Sequence, residues 1–167
     1  MRKGILLGFV VPVILLGIFM AGSGFADEKP MVIAYRGDAT TMDPHGRTES
    51  TNTMILNHIF SKLVTLGPNN EVEPELAKSW KNVDSNTWEF YLHEGLTFTN
   101  GEPVTAAAAK YSLERALNHP KSQYAYMVPD YKELTAVDTH TLRMVLKAPN
   151  PEVLYMLQGL NIVPPKY

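Results

Sequence analysis

The sequence predicts an α/β fold, and three observations predict it. Apolar and polar residues alternate with a period of two from Thr87 to Leu92, with Trp88, Phe90 and Leu92 on one face, and again along 141–146, where Leu142, Met144 and Leu146 share a face. Between them Ala106, Ala109, Leu113 and Leu117 recur at helical spacing, with Lys110, Glu114 and Arg115 turned away. Turn-forming clusters separate these segments: Asp84-Ser85-Asn86, Asn100-Gly101 and Asp138-Thr139-His140.

In chain order, residues 1–26 read as a targeting segment. Arg2-Lys3 gives a positive start, an apolar run follows, and Gly24-Phe25-Ala26 places small residues where a signal peptidase cuts, after Ala26. An uncleaved anchor is the alternative, but Pro12 and the flexible Gly22-Ser23-Gly24 suit a cleaved peptide better. Residues 31–36 are apolar enough for a first strand, and residues 37–45 form a loop of small polar residues ending in Asp43-Pro44-His45. Ser50 or Thr51 can cap a helix carrying Leu56, Phe60 and Leu63, with Ile55 and Ile59 beside them. Gly67-Pro68-Asn69-Asn70 is a turn. A helical turn opens at Pro74, a strand containing Trp80 follows, and the chain doubles back at Asp84. Thr105 caps the long helix. Residues 118–131 are polar and aromatic, residues 133–137 pair as a hairpin with 141–146, and a short helix covers 152–157.

With 167 residues, 45% of them hydrophobic, the chain has room for one ordinary domain. Its 15 basic and 17 acidic residues are interspersed, which gives nucleic acid no basic patch to bind. The absence of cysteine excludes disulfides, zinc thiolate sites, thiol catalysis and lipid anchoring through a processed cysteine.

Catalytic chemistry has little support. His45, His58, His93, His119 and His140 lack metal-ligand spacing and read as surface residues. Asp43 with His45 suggests a general base, but no nucleophile elbow or phosphate loop accompanies them, and Asp43 is better explained as locking the loop before Pro44. Trp80, Trp88 and Phe98 read as core rather than as a stacking platform.

Residues 74–117 resemble a signature of the family 5 extracellular solute-binding proteins, the peptide-binding receptors of ATP-binding cassette importers. The matching residues are Pro74, Leu76-Ala77, Ser79-Trp80, Trp88, Phe90, Leu92, Gly95, Phe98, Gly101, Pro103, Thr105-Ala106 and Ser112-Leu113-Glu114-Arg115. Met42-Asp43-Pro44 stands where members carry Leu-Asp-Pro. Two positions depart from the pattern: Ala107-Ala108-Ala109 replaces a common Glu-Asp-Val, and His93 stands where arginine is common.

The resemblance implies a type II periplasmic binding protein-like fold with a mixed sheet and two lobes that close on a ligand. Residues 27–49 would be the first strand and loop of lobe I and residues 50–167 its smaller subdomain, with lobe II absent from this chain. It implies ligand contacts at Thr48, Glu49 and Ser50, and at Tyr124 with Tyr126 as the fallback, although plain packing explains a tyrosine there equally well. The implied function is capture of oligopeptides or dipeptides in the periplasm and delivery to permease subunits at the inner membrane. Such a receptor needs no cofactor, metal or catalytic residue and is monomeric at full length. This chain alone would bind weakly or not at all. A free-standing exported interaction module, or less readily an exported hydrolase, is the alternative.

Overall fold

The computed structural model describes residues 32–35 and 37–166. The chain divides into two units, residues 1–34 and 35–167. Of the first, the described part is 32–34, irregular backbone with Val32 and Ile33 exposed. The expected targeting segment, and Met31 and Arg36 at the ends of the expected first strand, lie outside the described residues. Residues 32–35 between them carry no strand.

In the second unit, helix α1 (Ser50–Leu56) is followed by β1 (Val64–Leu66), β2 (Val72–Pro74), β3 (Ala77–Asn82), β4 (Thr87–Leu92), helix α2 (Ala106–Asn118), a 3-10 turn (Ala125–Met127), β5 (Tyr131–Ala136), β6 (Thr141–Leu146) and helix α3 (Val153–Leu157). Strands β1 and β2 form a hairpin, and the others form a four-stranded sheet in the order β3-β4-β6-β5. Every pairing between these strands is antiparallel, where a mixed sheet was expected.

The turns form for the anticipated reasons. The Asp84 carboxylate accepts from the backbone N–H of Asn86 and Thr87, and Asp138 accepts from His140. Asn70 and Gly101 take left-handed backbone (φ 63° and 84°), which asparagine and glycine tolerate. Leu142, Met144 and Leu146 of β6 meet Phe90 and Leu92 of β4 in one buried cluster, and α2 covers it from the β5–β6 side. Trp80, Trp88 and Phe98 pack against this cluster as core residues.

Three local expectations are corrected. The helical turn expected at Pro74 is strand, because Leu76 and Ala77 donate their N–H groups across to the Lys62 and Leu63 carbonyls. Helix α1 ends at Leu56, and its N-cap is Glu49 rather than Ser50 or Thr51. There His58 bonds back to Ile55 and Ile59 to Leu56 in tight i to i+3 turns, which release the chain to pair Lys62 with Asn161. On α2 the buried arc runs through Ala108, Ala109, Ser112, Leu113 and Ala116, leaving Leu117 40% exposed. That rotation brings Arg115 to a partly buried position rather than into solvent.

Candidate functional site

The loop entering α1 contributes to two polar structures, one closed and one open. The closed one centres on His45, which is fully buried and so corrects its assignment to the surface. His58 and His93 are exposed, as expected of surface residues. Arg115, from the last turn of α2, donates through both terminal nitrogens to the two Asp43 carboxylate oxygens (3.0 and 2.9 Å). The same Nη1 lies 2.9 Å from His45 Nδ1, and His45 Nε2 lies 2.9 Å from the Asn161 carbonyl. Because a guanidinium only donates, Nδ1 must accept, and the ring is the neutral tautomer whose Nε2–H donates to Asn161.

Electrostatics agree with that assignment. Burial, reinforced by the Arg115 charge, holds the His45 pKa below its ordinary value against the opposing pull of Asn161 and Asp43. Burial pushes Asp43 upward, but hydrogen bonds from Arg115 and the His45 N–H, with the Arg115 charge, more than offset it and leave Asp43 lowered. The carboxylate grips an arginine instead of orienting an imidazole, so the pair is not arranged as an acid–base dyad. As expected, Asp43 also locks its own loop, accepting from the His45 N–H at 2.9 Å.

Two further residues complete the closed structure, and neither was singled out from sequence for this part. Ser112 Oγ accepts from the Val163 N–H (2.9 Å) and has the Ala108 and Val163 carbonyls as acceptors for its one proton. Buried Asn52 accepts from the Thr40 N–H and donates to the Thr41 carbonyl, fixing the approach to Asp43.

The open structure is a pocket of about 210 Å³ lined by Thr48, Thr53, Asn57, Lys62, Tyr124, Tyr126, Met127, Gln158 and Gly159. Gln123 assembles it: its N–H donates to the His45 carbonyl (3.0 Å) and its side-chain oxygen faces the Thr48 N–H (3.4 Å), bringing residues 45–48 beside Tyr124. Tyr124 is 4% exposed and Tyr126 69% exposed, so the first forms the wall and the second the rim. Three of the five expected site residues, Thr48, Tyr124 and Tyr126, therefore line one cavity. Glu49 and Ser50 do not; both are exposed, at the N-cap and first residue of α1. Sequence reading missed Lys62, Asn57 and Gln158, which come from separate segments.

A larger apolar cleft of about 570 Å³ lies elsewhere, between Ile59, Leu96, Phe98, Val104, Ile162 and Pro164 among others. Among the described residues, no helix is long and apolar enough to cross a membrane, and no group of three or more acidic or histidine side chains could hold a metal ion.

Residues 71–167 match the bacterial extracellular solute-binding proteins, family 5 (middle). The chain belongs to this family. Among its relatives, the periplasmic murein peptide-binding protein MppA of Escherichia coli K12 is 27% identical over 150 residues, covering 78% of this chain and 28% of MppA. The dipeptide-binding protein DppE of Bacillus subtilis 168 is 30% identical over 149 residues, covering 79% of this chain and 27% of DppE. The structure of the binding protein AgaA from A. tumefaciens R10, solved with agropinic acid, superposes with a TM-score of 0.72 at 26% identity, over 78% of this chain and 27% of AgaA. The chain thus spans little more than a quarter of the length of these relatives. The family's Ser-Leu-Glu-Arg element now has a physical reading here: Ser112 ties α2 to Val163, Leu113 fills the core, Glu114 pairs with Lys110, and Arg115 clamps Asp43.

Proposed function

We propose that this chain is the early part of lobe I of a periplasmic solute-binding receptor for an ATP-binding cassette importer, and that it takes peptides. Family membership supports the receptor role, and MppA and DppE are named for the peptides they bind. The observation that carries the reading to particular atoms is the convergence of Thr48, Tyr124 and Tyr126 on one open pocket. Such a pocket offers hydroxyls and a backbone edge to an extended ligand, while a second lobe supplies the opposite wall and closure draws energy from both. The closed receptor then delivers its peptide to permease subunits at the inner membrane. Export by a signal peptide cleaved after Ala26, and monomeric, non-catalytic action without a cofactor, belong to the same proposal. Glu49 and Ser50 contribute through their backbone at the pocket's approach.

Nuclear magnetic resonance mapping with millimolar dialanine tests this. Shifts centred on Thr48, Tyr124 and Tyr126, with affinity no better than millimolar, are expected. Submicromolar binding by this chain would refute the need for a second lobe, and the absence of any shift at those residues would refute the pocket. A second reading, an exported interaction module, draws on the apolar cleft, a feature typical of protein-binding surfaces. Dialanine shifts confined to the cleft would favour it.

A further inference from the structure

Lys62 sets the pocket apart from a general peptide groove. Its backbone is pinned on both sides: the carbonyl accepts from the Leu76 N–H (3.0 Å), and the residue pairs with Asn161 in an antiparallel bridge. The side chain is half-buried and lines the cavity together with Thr48, Thr53, Asn57, Tyr126 and Gln158. Lysine is the single charged residue in that lining; Thr48, Thr53, Tyr124, Tyr126, Asn57 and Gln158 add hydroxyls and carboxamides able to donate hydrogen bonds, and Met127 and Gly159 complete it. Among the described residues the Lys62 ammonium forms no ion pair. Glu75 contributes some compensating charge but does not line the pocket. Burial accordingly disfavours the ammonium and lowers the Lys62 pKa, with Glu75 opposing. A half-buried cation that shares a pocket lining with hydroxyls and carboxamides attracts one kind of group above others, an anion with several lone pairs.

We infer that this pocket is a carboxylate subsite in which Lys62 selects ligands bearing an acidic group. The inference rests on the reading of the pocket as the ligand site and names the substrate class for it. The carboxylate comes either from the ligand's C-terminus or from an acidic side chain, and one titration distinguishes these. Three probes are used on the protein: Ala-Ala, Ala-Ala amide, and Glu-Ala amide. Resonances of Thr48, Tyr124 and Tyr126 report occupancy.

At least one carboxylate probe is expected to bind about tenfold or more tightly than Ala-Ala amide, the range of a hydrogen bond to a charged group. Preference for Ala-Ala identifies the C-terminus, and preference for Glu-Ala amide identifies the side chain. Lys62→Met should abolish the preference, and an amide spectrum as dispersed as the parent's shows that the variant is folded. Lys62→Arg should retain it. Equal binding of all three probes, or a preference that survives Lys62→Met, overturns the carboxylate subsite and leaves the receptor reading standing. If no probe moves those resonances, the reading of this pocket as the ligand site fails and the subsite with it.

Discussion

The loop of residues 43–48 serves two structures with opposite fates for their polar groups. At Asp43 and His45 nearly every donor and acceptor is matched inside the protein, to Arg115, to Asn161 and to the loop's own backbone. A few residues later Thr48, with Lys62, Asn57 and Gln158, opens its polar groups to a cavity. Matched groups hold a frame; unmatched ones are available to a ligand. The difference teaches that the residues marking this family most strongly belong to the frame, whereas the ligand-facing candidates are scattered and individually unremarkable in sequence.

Breaking the frame should cost far more stability than altering the pocket. Arg115→Ala removes both guanidinium donors from the Asp43 carboxylate, which keeps its backbone donor, the His45 N–H, and removes the donor to His45 Nδ1; a loss of about 2–3 kcal/mol is expected in urea unfolding, below the value for a fully buried pair because Asp43 keeps some solvent contact. Ser112→Ala removes the link to Val163 and should cost about 1–2 kcal/mol by the same measurement. Thr105→Ala deletes the side-chain cap of α2 (3.2 Å to the Ala108 N–H) and should cost about 1 kcal/mol. Tyr126→Ala, on the exposed rim, should stay within about 0.5 kcal/mol of the parent.

Acid sharpens the same contrast. The His45 and Asp43 pKa values are both lowered in the folded state, so over the affected ranges the unfolded chain binds more protons and stability rises with pH. The His45 contribution is complete above its ordinary pKa of 6.5 and is lost as pH falls from there through the lowered folded value. Asp43 adds a second loss below its ordinary 3.8. His45 and Asp43 should therefore make the melting temperature decline as pH falls below about 6.5. His45→Gln should flatten the upper part of that decline, and an unchanged profile would remove His45 from the frame.

Much of the frame was legible in sequence because it follows local rules. The alternation of Trp88, Phe90 and Leu92, the Asp84 and Asp138 turns and the Thr105 cap each depend on neighbours a few residues away. What stayed hidden depends on distant partners. His45 is buried because Arg115 and Asn161, 70 and 116 positions away, satisfy both ring nitrogens. The strand at Pro74 was misread as a helical turn because the Lys62 and Leu63 carbonyls that claim its backbone lie on another segment. Tyr124 could be placed from the family resemblance, but Lys62 and Gln158 join it only through tertiary folding, and no local pattern marks them.

The chain contains no cysteine, so single thiols can report directly on the division between frame and pocket. Thr48→Cys and Ser112→Cys would be labelled with a thiol reagent with and without millimolar dialanine. Rapid labelling at position 48 that dialanine slows, beside slow labelling at 112 that dialanine leaves unchanged, is the expected result. Equal rates at the two positions, or protection by dialanine at 112 rather than at 48, would contradict the account.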